Sequence, residues 1–160
     1  MDLGVGRRNR NRGYQQLRVW QEAIEFYRIC SRVFARFPFT LSKVAAQNVA
    51  SADPIHRNIA EGYCSRSLRE YLKYLYIALA SLGETVSGLT ACRHADQISD
   101  SDFESCDLFA FQLENGLLKL VASLERKQDS GTRIDRLVVR ESNASYGAAG
   151  REESEFIPDG

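Results

Sequence analysis

Apolar residues return at alternating steps of four and three along the middle of this chain: Leu68, Leu72, Leu75, Leu79, Leu82, Val86 and Leu89. That spacing draws one apolar seam along an α-helix and turns it toward a partner helix. A capping box, Ser67-x-x-Glu70, opens the segment, its side chains satisfying N–H groups that a first helical turn leaves orphaned. The predicted helix reaches Arg93 and is about 40 Å long. A second seam follows in Phe103, Cys106, Ala110, Leu113, Leu117, Leu120 and Leu124. Its predicted start is another capping box, Ser101-x-x-Glu104, with Asp100 and Asp102 suited to a helix N-terminus and Lys127 suited to its end.

Two more helices precede these. The first covers Tyr14 to Arg36, with an inward line of Leu17, Trp20, Ile24, Tyr27, Cys30 or Ser31, and Phe34. The sequence FPF ends it, because the residue before Pro38 is pushed out of the helical region. Trp20 reads as an anchor of the bundle. The second covers Leu41 to Tyr63 and is the weakest, with Asn48 and Ser51 among alanines and Pro54 in its interior. We read Pro54 as a restart, with Asp53 as N-cap and proline at the first helical position, and Gly62 as the residue that ends the segment.

Four helices joined by short links predict an all-α, antiparallel, up-down-up-down four-helix bundle over residues 14–128. Residues 1–13 read as a flexible basic arm and 129–160 as a mostly disordered acidic tail. Within the tail, RIDRLVVR (Arg133 to Arg140) has the composition to order against another surface. Apolar content exceeds one seam per helix. The fourth helix also carries Leu108, Phe111, Leu118 and Ala122, and the third carries Tyr71, Tyr74, Ala78, Ser81, Thr85, Gly88 and Cys92. Two explanations stand open: a homo-oligomer that covers these lines, or a broad core stripe within one chain.

The chain has 160 residues, 44% hydrophobic and 26% charged, enough for one domain with a real core. Net charge is zero, yet residues 1–95 hold 14 Lys+Arg against 7 Asp+Glu, and residues 96–160 hold 7 against 14. Such asymmetry fits a polyanion-binding face or complementary self-assembly. Cys30, Cys64, Cys92 and Cys106 form no C-x-x-C motif and read as small packing residues in a reducing compartment. No unbroken run of 18 apolar residues marks a membrane span, and the N-terminus lacks the apolar core of a signal peptide, so a cytoplasmic location is expected.

Three blocks carry a resemblance: LRVWQEAIEFY in the first helix, NIAEGY ending the second, and SRSLREYLKYLYIALASLGE in the third. Over Tyr14 to Lys127 the chain resembles the four-helix bundle proteins encoded in intervening sequences of large-subunit ribosomal RNA. That superfamily also includes the accessory variability proteins of diversity-generating retroelements. The resemblance implies an antiparallel bundle, commonly a ring-shaped homopentamer, with no established enzymatic activity. For the retroelement branch it implies a basic surface that binds RNA or DNA and assists a reverse transcriptase. The family's proline usually stands two residues before the Asn of NIAEG. Here that position is His56, and the proline is Pro54. Ala52, Ile55 and Ile59 point to the core, while Asn58 and Glu61 share another face, where they set helix register or form part of a ligand site.

The candidate binding residues are cations. Arg28, Arg32 and Arg36 stack at intervals of four, a mildly unfavourable arrangement that calls for a carboxylate or a phosphate backbone opposite. Arg66, Arg69 and Lys73 form a second ladder, with Arg57 nearby in sequence and Arg7, Arg8, Arg10 and Arg12 in the arm. Tyr71, Tyr74 and Tyr76 are interleaved and are candidates for base stacking. Phosphate neutralisation with little base readout is the expected mechanism. The competing use of the same charge is protein contact: Asp96, Asp100, Asp102, Glu104 and Asp107, or Glu152, Glu153 and Glu155 of the tail, facing a neighbour's basic ladder.

Other chemistries find little support. A di-metal bundle needs Glu-x-x-His pairs; Asp53–His56 is interrupted by Pro54, and His94 has Ala91 where the carboxylate should be. There is no P-loop, G-x-S-x-G or G-x-G-x-x-G, and no cofactor is expected. The expectation is a non-enzymatic nucleic-acid-binding accessory protein that assembles with itself, beside a reverse transcriptase in one branch, with an oligomeric protein scaffold as the alternative.

Overall fold

A computed structural model describes residues 10–130. Arg7, Arg8, the RIDRLVVR segment and the acidic residues of the tail lie outside the described residues. The chain order is a short 3₁₀ helix at Arg10–Gln16, α1 at Arg18–Phe34, a 3₁₀ turn at Phe39–Leu41, α2 at Ser42–Cys64, α3 at Leu68–His94 and α4 at Asp100–Asp129. Each long helix packs on its neighbours in sequence, and α1 closes the bundle against α4. The described residues are therefore an antiparallel four-helix bundle, as the heptad spacing predicts.

Both seams read from the sequence are inside. Leu72, Leu75, Leu82 and Leu89 of α3 are buried, as are Phe103, Cys106, Ala110, Leu113, Leu117, Leu120 and Leu124 of α4. By length and composition α3 is apolar enough to cross a membrane. In this fold its seam residues are instead covered by the other helices. The second line of α3 is also internal: Tyr71, Ala78, Thr85 and Cys92 are buried against α2. On α3 the broad core stripe is the explanation that holds.

On α1 the expected line holds at its ends, where Leu17, Cys30 and Phe34 are buried, but is off by one position in the middle. The other buried residues there are Val19, Ala23, Phe26 and Val33. Trp20, Ile24 and Tyr27 lie half-buried on the flank. Counting Val19, Phe26, Ile29 and Val33 moves the centre of the apolar face away from the line Trp20–Ile24–Tyr27. Trp20 packs edge-on to Tyr14, ring centroids 5.3 Å apart, and Tyr27 packs edge-on to His56 of α2 at 5.8 Å. The first helical turn also begins at Arg10, inside the segment read as an arm, and packs on α2, where the Cys64 thiol meets the Asn11 carbonyl at 3.3 Å.

Pro54 does not restart α2. The helix runs through it. Ala50, whose carbonyl would have taken the missing N–H bond, is exposed, so water can replace that donor. Asp53 is therefore no cap; its carboxylate binds Arg57 and His56 within the helix. Nor does Gly62 end α2, which continues to Cys64 and caps through Ser65. A Cβ at residue 62 would stand 2.8 Å from the Tyr71 ring and 2.9 Å from Tyr74 Cβ, so this glycine lets α2 and α3 touch. The α4 cap is also shifted: Ser99, not Ser101, accepts the Asp102 N–H at 3.1 Å. Ser67 caps α3 as expected, accepting from Glu70 N–H.

Candidate nucleic-acid interface

The antiparallel topology decides which cations can act together. Arg32 and Arg36 lie at the end of the bundle where α1 turns into α2 and α4 begins. Arg66, Arg69 and Lys73 lie where α2 turns into α3, at the opposite end. The two groups are separated by the length of α2, about 35 Å at 1.5 Å per residue. They are two patches. Arg57 belongs to neither end. It sits partway along α2, one residue from the His56 that packs on Tyr27, and so flanks the α1 ladder.

Within the α1 ladder, carboxylates offset the repulsion at both ends. Arg28 binds Glu25 at 2.6 Å, and Arg36 reaches across to Asp102 on α4 at 2.7 Å. Arg32, between them, is exposed and makes no ion pair or hydrogen bond among the described residues. Arg57 is paired with Asp53, whose carboxyl it holds below the usual carboxylate range, with help from His56. In the second patch Lys73 lies 3.6 Å from Glu70 and over the Tyr74 ring, whereas Arg66 and Arg69 are exposed without an ion pair among the described residues. Arg66 also adopts a left-handed backbone, φ 63°, in the tight link between α2 and α3.

The tyrosines do not form a stacking set. Tyr71 is buried in the core, Tyr74 is half-buried with its hydroxyl bonded to Glu61, and Tyr76 bonds Glu125 of α4. The Asn58 amide donates to the Pro54 carbonyl within α2 at 2.7 Å, and the exposed Glu61 carboxylate lies close enough to the Tyr74 hydroxyl to raise its pKa. The acidic start of α4 is likewise used inside the chain, since Asp100 binds Arg93 and Asp102 binds Arg36.

Sequence reasoning passed over two residues near the first patch. Phe39 is 91% exposed, the most exposed large apolar side chain described. Lys43, four residues on in the first turn of α2, is exposed and unpaired among the described residues. Their spacing of four was the available signal, but an aromatic in FPF reads first as core.

Two further surfaces stand out. Leu108, Phe111 and Leu118 of α4 are each about half exposed, and Tyr76 and Ile77 of α3 are exposed as well. Between α2 and α3 a cleft of about 330 Å³ is lined by Val44, Asn48, Glu84, Gly88 and Gln97 among others. The thiols contribute little: Cys30 and Cys106 are buried free thiols of the core, and burial raises the pKa of Cys64 and Cys92.

A closed bundle of four antiparallel helices with cations at both ends defines a structural class. Within it, residues 15–119 match the family described as 23S rRNA-intervening sequence protein, and the chain belongs to that family. A search of curated proteins returns no match to the chain.

Proposed function

We propose that this protein is a non-enzymatic, RNA- or DNA-binding accessory protein that holds phosphates at the two ends of its bundle. The observation that carries this reading is the set of exposed arginines without carboxylate partners among the described residues: Arg32 at one end, Arg66 and Arg69 at the other. Unpaired guanidinium groups bind phosphate without first giving up a protein partner. Arg28, Arg36, Arg57 and Lys73 are secondary contributors, because each must leave a carboxylate. The family description refers to an intervening sequence of ribosomal RNA and names no ligand, so nucleic acid as the ligand class rests on these cations and on the family resemblance. Service beside a reverse transcriptase is part of the same proposal and rests on the family resemblance.

Self-assembly accompanies it. The exposed line Leu108, Phe111 and Leu118, with Ile77 and Tyr76 beside it, supports association of copies, with a homopentameric ring as the expected form. A ring would repeat each cationic end and add weak contacts by avidity.

The test is a titration of the full chain with mixed-sequence RNA and DNA across a range of salt. Binding should weaken steeply as salt rises, with a log–log slope near −0.7 per phosphate contact for single strands. Reversing Arg32, Arg66 and Arg69 together should weaken binding and flatten that slope. No binding at about 50 mM salt, or a triple reversal that changes nothing, removes the proposal.

A further inference from the structure

Phe39 is the one exposed large apolar side chain among the described residues that lies outside α3 and α4. The others are Tyr76 and Ile77 of α3 and Leu108, Phe111 and Leu118 of α4. Phe39 stands apart, in the turn between α1 and α2, with Arg36, Thr40 and Lys43 exposed around it. Packing does not explain it, since an aromatic ring held in water forgoes the gain of burial.

The turn beneath it is firmly built. Pro38 sits at φ −64° and accepts the Leu41 N–H at 2.9 Å. Phe37 N–H bonds the Phe34 carbonyl at 3.1 Å, and the rings of Phe37 and Phe34 pack with centroids 4.9 Å apart. Phe37 thus anchors the turn on the core while Phe39 is carried outward. The 3₁₀ turn runs directly into α2, which places Lys43 in the first turn of that helix, four residues after Phe39.

We propose that Phe39 is a stacking platform for an unpaired base of single-stranded nucleic acid, with Lys43 and Arg32 receiving the flanking phosphates. The inference rests on the nucleic-acid reading above and narrows its ligand to single strands or loops. Every base has a π-face that an exposed ring can meet, but bases inside a duplex are already stacked and out of reach. A lone ring among cations suits that ligand better than it suits a protein partner, which would need contiguous apolar surface.

The experiment compares the full chain with its F39A and F39W variants, using a single-stranded oligonucleotide and a duplex of the same sequence at fixed salt and across salt. Phe39→Ala should weaken single-strand binding about 10-fold, as loss of a base–aromatic stack does, and leave duplex binding and the salt slope unchanged. Phe39→Trp should retain affinity, with indole emission quenched by the single strand. Equal single-strand binding by wild type and F39A, or an equal loss on strand and duplex, overturns the inference while the wider reading stands. Light scattering that shows F39A breaking an assembly also overturns it, because the ring is then a subunit contact. If the wild-type chain binds neither nucleic acid, both fall together.

Discussion

The side-chain oxygen of Asn48 on α2 rests against the bare Cα of Gly88 on α3: a Cβ at residue 88 would stand 1.9 Å from it. The Asn48 amide meanwhile donates to the Val44 carbonyl at 2.8 Å, so the side chain is held from both directions. One turn further, Ser51 and Thr85 share a buried hydrogen bond of 2.9 Å. The α2–α3 contact is thus made by small and polar groups that let the helices approach closely.

Gly88→Ala should therefore destabilise the bundle by about 1–3 kcal/mol, the usual cost of overpacking, by driving Asn48 out of its site. Gly83, on the same helix, faces open space: a Cβ there would meet nothing within 4 Å. Gly83→Ala should instead stabilise by up to about 1 kcal/mol through helix propensity. Urea unfolding midpoints of the two variants should move in opposite directions. Equal midpoints would mean that Asn48 swings aside at no cost.

The arginine ladder on α1 divides by partner. Arg36→Gln breaks the 2.7 Å link to Asp102, which joins the end of α1 to the start of α4. Both groups are substantially exposed, so the loss should stay below about 1 kcal/mol and shrink with added salt. Arg32→Gln should leave stability unchanged and, if phosphate binding is its role, lower nucleic-acid affinity more than Arg36→Gln does. Unfolding and binding measured on the same two variants check both halves.

The positions of these residues show how far the sequence alone could lead. The seams of α3 and α4 were legible because apolar residues recur at steps of three and four over seven positions each, and on α3 the Ser67 cap agrees with them. The register of α1 was not, because two apolar lines run side by side and only the neighbouring helices choose between them. Pro54 reads as a break, yet the helix continues because the orphaned carbonyl of Ala50 lies at the surface. For the candidate interface, sequence supplied the cations but not their partners. That Asp102 neutralises Arg36 across 66 positions of chain is a property of the fold, as is the separation of the two ladders to opposite ends.

The exposed line on α4 offers a test of assembly. Phe111 is 61% exposed and Leu118 49%, and neither fills the core of its own bundle. Replacing both with aspartate should leave the helical content and the unfolding midpoint of the separated chain intact while lowering the mass measured by light scattering. A charge pair placed in an apolar contact costs far more than one left in water. An unchanged mass would assign the stripe to some other partner, and a monomeric wild type would remove the ring from the proposal.

The last expectation concerns acid. Arg57 first, and then His56, hold the Asp53 carboxyl below the usual carboxylate range, against the opposing pull of burial. A group whose pKa is depressed on folding binds fewer protons in the native state than in the unfolded one, so its stabilisation is present above the unfolded value, about 3.9. It is lost as pH falls through the lower folded value. Asp53 should thus contribute fully at neutral pH and stop contributing in the window below about pH 4. Asp53→Asn removes that contribution at neutral pH and should flatten the acid limb of the stability curve; Arg57→Gln should flatten it in part, since His56 remains. Far-UV circular dichroism followed from neutral pH into acid compares the three chains. Parallel curves for wild type and D53N would mean that the pair is matched in strength by interactions of the unfolded chain.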